Sequence, residues 1–337
     1  MEKRKERLDR GIKVRTEGLY ALTSWREMSY LLVPRIVLIL GLLLSPFFLE
    51  WMDWMYWQRV LCQAGIYALL ALSFDFLAEY VGLVCLGGAF FIGSGAYISG
   101  LINAKLGWSP FVTIPIATVA GAGISTLVFL PCLRLRGIYF AIISFMFPLL
   151  TVYIIVALNI FGGTEGITAL ATFPNIWVDQ YLILGAVIIA LFAVRRLVTE
   201  DIGLILRSIK DNDQAVKASG ISITSYKTKA VFIAALLGCF GGAYLSHLYG
   251  WVGISQFALD YCILPIAATV MGGMGTLVGP VIGAFILTPL SEALRGFGQM
   301  RVVVYCLILI GFIVYKPEGL MNVLQRKYHQ FEHWEEV

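Results

Sequence analysis

Charge is what this sequence has least of: Asp, Glu, Lys and Arg make up 14% of its 337 residues, against 59% apolar. Soluble domains carry about 25% charged residues, so the deficit excludes an ordinary water-soluble protein. The mean hydropathy of +0.83 puts the chain in a bilayer. Histidine is scarce too, with only His247, His329 and His333. The last two stand four apart, a helical metal spacing, but no further ligand flanks them and they read as solvated surface. Six cysteines are scattered singly and no CxxC pair exists, so neither a metal site nor a disulfide frame is indicated. The chain contains no phosphate-binding Gly-x-x-x-x-Gly-Lys-Ser/Thr. Gly162-Gly163-Thr164-Glu165-Gly166 has the glycines without the lysine. If ATP powers the protein, another subunit hydrolyses it. Ser94 with His247 could suggest an intramembrane nucleophile and base, but no third group orients them, and the chain is not read as an enzyme. The net charge of +4 gathers at span ends. That pattern speaks for orientation and not for nucleic acid.

What is present is a series of apolar runs. A bilayer core of about 30 Å needs roughly 20 apolar residues per helix. On that rule spans fall at 31–49, 59–78, 86–105, 110–131, 138–158, 182–198, 230–249, 257–274, 276–294 and 302–316. The expected fold is an all-α polytopic bundle of about ten helices. Residues 1–30 form a basic cytoplasmic tail, 31–316 the membrane domain and 317–337 a second cytoplasmic tail. Trp51, Trp54, Tyr56 and Trp57 mark an outer interfacial belt, and Arg35 snorkels to the inner interface. Arg295 and Arg301 fall outside in this scheme and run against the charge rule.

The longest polar interruption is 199–229, with Arg207, Lys210, Lys217, Lys227 and Lys229. Its basic excess makes it a cytoplasmic loop. Ser208–Ser219 reads as a short amphipathic helix with Gly220 as its C-cap, suited to docking in a groove of another protein. Two glycine-rich passages interrupt apolar sequence: Gly82–Tyr97, including Gly87, Gly88, Gly93, Gly95 and Tyr97, and Val270–Phe285, including Gly272, Gly273 and Gly275. Such passages either break helices along a transport path or let helices pack closely. Asp75 and Glu79 share a helix face at the inner end of the second span. They read either as interfacial carboxylates reaching water or as a proton or cation path. Glu165 and Asp260, both placed outside, could meet the ammonium of an amino acid or remain ordinary exposed carboxylates.

Five ordered segments resemble the permease subunits of branched-chain amino-acid ABC importers, the LivM-like branch that includes urea and amide permeases. They are EYVGLVCLGGAFFIGSGAY (Glu79–Tyr97), RLRGIYFA (Arg134–Ala141), GGTEGI (Gly162–Ile167), GGMGTLVGPVIGA (Gly272–Ala284), and Pro317 with Gly319 and Leu320. The resemblance implies a coupling segment in the central loop, with Arg207, Lys210, Asp213, Gln214, Ala215, Val216 and Gly220 meeting an ATPase. It implies a path along the glycine passages and an external mouth at Gly163, Thr164, Glu165 and Gly166. It also implies a second permease, two ATPase subunits carrying the ATP and Mg, an extracytoplasmic binding protein and a prokaryotic inner membrane. No cofactor is expected on this chain. The sequence departs from the family at Gly88 (usually His), Asp75 (Asn), Glu79 (Gly) and Cys262 (Ser), which leaves the solute open.

Overall fold

A computed structural model describes residues 5–7, 47, 55–135, 137–298, 300–315, 319–321 and 334–336. The expected span 31–49 apart from Phe47, most of both tails, Trp51, Trp54, Pro317, His329 and His333 lie outside the described residues.

Within those limits the chain is an all-α polytopic membrane protein. The helices are α1 (Met55–Asp75, prolonged by a wide π turn, Phe76–Val81), α2 (Gly88–Leu106), α3 (Pro110–Phe129), α4 (Ile138–Leu158), α5 (Ile176–Thr199), α6 (Asp201–Asp211), α7 (Asp213–Ala218), α8 (Ile223–Tyr249), α9 (Asp260–Gly272), α10 (Val278–Ala293) and α11 (Met300–Tyr315). Besides helices, Lys5–Arg7 pairs antiparallel with Trp334–Glu336, and Ile167 forms an isolated bridge with Val252.

Among the described residues seven helical stretches are long and apolar enough to cross a membrane. Helices α2 and α11 occupy two further expected spans but are not among those seven, so the count of ten is not established. Polar and glycine residues dilute α2, which carries Ser94, Ser99, Asn103 and Lys105. It compensates by position, packing against α3 and α8. Helix α1 is the other central element, with 89% of its span buried against 22% for α4.

The crossings depend on small residues. A Cβ on Gly95 of α2 would lie 2.2 Å from the Cys239 carbonyl of α8, so the two backbones touch there. Between α9 and α10, Gly272 faces the Gly279 backbone in the same way. Close approach of this kind is how helices associate where lipid supplies no hydrophobic drive.

Several boundaries differ from the sequence reading. The loop 199–229 is mostly helical: α5 runs to Thr199 and α8 starts at Ile223, so Lys227 and Lys229 sit on a membrane helix. The single helix expected over 208–219 is two helices. Asn212 leaves helical geometry and its Oδ1 accepts from the N–H groups of Gln214 and Ala215 at 3.0 and 3.2 Å, capping α7. Gly220 follows α7 with φ of 80°, the left-handed conformation expected of a residue that ends a helix.

Candidate functional site

The bundle has two ends, here called the hairpin end, carrying α6–α7, and the loop end, carrying 159–172. At the hairpin end, Gln214, Ala215, Ala218 and Gly220 are exposed, while Val216 is buried. The base of α7 is held by Asp213, whose carboxylate lies 3.6 Å from the buried Lys227 ammonium. Arg207 sits over the Tyr80 ring at 5.0 Å. Lys210 Nζ donates to both the Glu79 carbonyl and its Oε2 at 2.9 Å. The seven expected coupling residues therefore divide. Gln214, Ala215 and Gly220 face outward, whereas Arg207, Lys210, Asp213 and Val216 fix the hairpin to the bundle. A cleft of about 380 Å³ lies between the hairpin and Gly82–Leu83, lined also by Gly137 and Lys227.

Asp75 corrects a second expectation. It does not reach water: the residue is fully buried, and its two oxygens accept from Gly275 N at 2.7 Å and Leu277 N at 3.3 Å. Glu79 is paired with Lys210.

The glycine passages meet inside the bundle. After α1 the chain turns back through an extended stretch, 82–87, in which Leu86 N donates to Ser144 Oγ at 2.9 Å. Helix α2 then starts beside Leu70, about 16 Å along α1 from Val81 at 1.5 Å per residue. From the other end, 250–259 descends alongside α2: Val252 packs at Gly100, Phe257 at Gly93 and Tyr261 at Gly88. Ala89 N donates to Cys262 Sγ at 3.4 Å, and Tyr261 stacks on Tyr67 at 5.6 Å. Both α2 and α9 thus begin part-way through the bundle. Asp260, expected to open a span, is the exposed first residue of α9. The void where the two starts meet is about 10 Å³, roughly one water site. Of the expected path residues, Gly87, Gly88, Gly93, Gly95 and Gly272 face close neighbours. Gly273 and Gly275 lie in the turn that precedes α10. Tyr97 stacks on Phe257 at 5.6 Å, and its buried hydroxyl has no hydrogen-bond partner among the described residues.

At the loop end, Ile167 N donates to the Val252 carbonyl at 2.7 Å, Val252 N returns the bond at 2.9 Å, and Trp251 Nε1 donates to the Glu165 carbonyl at 3.2 Å. Thr164 and Glu165 remain exposed, while Gly163 is buried. His247 lies beneath, fully buried. Its Nδ1 faces the Ala171 carbonyl at 2.7 Å, and its Nε2 faces Ser99 and Thr113 hydroxyls at 2.9 and 2.7 Å. These contacts make it a pin between the 159–172 loop and three helices. Ser94, the nucleophile considered above, bonds instead to the Phe91 carbonyl and Ser125, both at 3.0 Å. Sequence reading passed over His247 as a pin because its partners lie on α2, α3 and a loop.

Among known proteins, the model of the family described as "Branched-chain amino acid transport system / permease component" matches residues 56–315. The chain is 25% identical over 287 residues to the high-affinity branched-chain amino acid transport system permease protein LivM of Salmonella typhimurium, covering 76% of this chain and 68% of that protein. A probable branched-chain amino acid transport permease protein LivM of Methanocaldococcus jannaschii is 24% identical over 281 residues, covering 73% and 78%. The autoinducer 2 import system permease protein LsrC of Yersinia pestis is 25% identical over 136 residues, 36% of this chain and 38% of that one. No solved structure matches.

Proposed function

Because the chain belongs to the branched-chain amino acid transport permease family, we propose that it is the translocating subunit of an ATP-binding-cassette importer. Its solute is a branched-chain amino acid, with urea or a small amide as the alternative. It works beside a second, homologous permease, two ATPase subunits that hold the ATP and Mg, and an extracytoplasmic binding protein. The hairpin end faces the cytoplasm of a prokaryotic inner membrane. Pairing of Lys5–Arg7 with Trp334–Glu336 supports termini on one side.

The observation that carries this reading is the hairpin. Small residues, Ala215 and Ala218, stand outward on a short helix whose opposite side is anchored by Val216 and the Asp213–Lys227 pair. A firmly based, small-faced helix can seat closely in a groove of a partner and transmit its movement. Closure of the ATPases would draw two such hairpins together. The bundle would then open at the loop end, and solute would enter along α2 and α9, past the unpartnered Tyr97 hydroxyl. The energy for that change comes from differential contacts with the two states.

The test is gentle solubilisation of the tagged protein from its own cells. Recovery of two ATP-binding proteins and a second permease is expected, with leucine stimulating ATP hydrolysis in the presence of the binding protein. Recovery of a lone chain that transports in liposomes without ATP would overturn the assignment. Within the recovered complex, Gly220→Trp should leave the protein in the membrane and abolish stimulation. Nothing lies within 4 Å of that glycine's missing Cβ, so an indole there projects into the docking space. Normal stimulation in the variant would remove the coupling role.

A further inference from the structure

The hairpin and the turn at the head of α10 both grip one short piece of chain. That piece is Asp75–Gly82, the hairpin-end terminus of α1, and its two sides carry different jobs. On one side, Lys210 of α6 donates to the Glu79 carbonyl and carboxylate, both at 2.9 Å. A cation at the C-terminus of a helix satisfies carbonyls that have no partner within the helix. One turn earlier on α6, Arg207 covers the Tyr80 ring, and Gly82 brings the backbone against the Lys210 stem, where a Cβ would lie 3.1 Å from its Cγ.

On the other side, the same segment holds the second glycine passage. Asp75 accepts from Gly275 N and Leu277 N, and Tyr80 OH donates to the Gly275 carbonyl at 2.8 Å. Within the turn they hold, Leu277 has φ of 59°, a positive value uncommon for any residue other than glycine. A carboxylate at the start of α10 also meets the positive end of that helix. The π turn, Phe76–Val81, itself carries Glu79 and Tyr80, with Asp75 immediately before it. Such widened turns recur where helices work.

We propose that Asp75–Gly82 is the linkage that carries movement of the α6–α7 hairpin to the 273–277 turn and so to α9 and α10. Lys210–Glu79 receives the movement. Tyr80 and Asp75 hand it on, so that α1 works as an adaptor at its end while its body stays packed. The inference rests on the importer reading above. It assigns the two carboxylates, otherwise candidates for an ion path, to positioning.

The test needs no knowledge of the solute. Met274 is exposed within the turn, so a Met274→Cys chain can be alkylated there, with labelling of Cys132 and Cys306 subtracted using the chain that keeps Met274. In the assembled complex, trapping with ATP and vanadate should change the alkylation rate severalfold. Adding Glu79→Gln should abolish that response while the ATPase subunits are still recovered and still hydrolyse ATP. Adding Glu79→Lys together with Lys210→Glu should restore it. A response that survives Glu79→Gln overturns the linkage, as does one that is already lacking with the pair intact. So does loss of the ATPase subunits in the Glu79→Gln chain, which would mark the pair as merely structural. Failure of the unmodified protein to recover any ATPase would instead overturn the importer reading, and this inference with it.

Discussion

Replacing Gly95 by alanine adds one methyl group at a tight place between α2 and α8. That carbon would stand 2.2 Å from the Cys239 carbonyl oxygen and 2.7 Å from its Cα. Ordinary contact between such atoms needs about 3.5 Å, so the helices must part by about 1 Å. The obstacle is backbone, which no rotamer change can move. Overpacking of this kind costs about 1–3 kcal/mol, roughly a fivefold to 150-fold change in equilibrium. The neighbouring contact of Gly242 with the Ile92 backbone belongs to the same crossing and would loosen with it. The assay is the midpoint of denaturation of the purified protein in mild detergent, with Gly123→Ala beside it as control. Gly123 is an exposed glycine of α3 with nothing within 4 Å of its missing Cβ. The expected result is a clear loss for Gly95→Ala and a change within about 0.5 kcal/mol for Gly123→Ala. Equal midpoints for Gly95→Ala and the unmodified protein would refute the claim that backbone contact sets this crossing.

Two further outcomes follow from single side chains. His247→Leu leaves the Ala171 carbonyl and the Ser99 and Thr113 hydroxyls without their buried partner, at about 1–3 kcal/mol for each group left unsatisfied. Hydrogen exchange at 167–172 should rise sharply, and unchanged exchange there would show that the loop is held by other means. Asn212→Ala removes the cap of α7 at about 1 kcal/mol. Exchange at 214–216 should quicken, while Asn212→Asp, which keeps an acceptor oxygen, stays near the unmodified rate.

The membrane class and the two glycine passages were legible because composition and local runs report them. The depth of those passages was not. A glycine cluster signals that a helix can break, but only Leu70 and Tyr261, distant in sequence, place the break inside the bundle. Asp75 was misread for the same reason: its donors, Gly275 and Leu277, lie about two hundred residues away, and no periodicity on α1 refers to them. The division of the hairpin at Asn212 is different. Asn-Asp-Gln-Ala is a local capping signature, obscured because the amphipathic pattern continues across it. Lys227 was assigned to a loop by its charge alone, whereas the Asp213 carboxylate lets it sit buried on α8.

The central position of α2 also governs how the chain must be made. Its residues leave the ribosome well ahead of α8, which begins roughly 120 residues later, or about 6–24 s at common synthesis rates. During that interval the face carrying Gly95, Ser99 and Asn103 has no permanent cover on the α8 side. Until the second half of the polypeptide arrives, α3 is the one of its two main packing partners that can cover it.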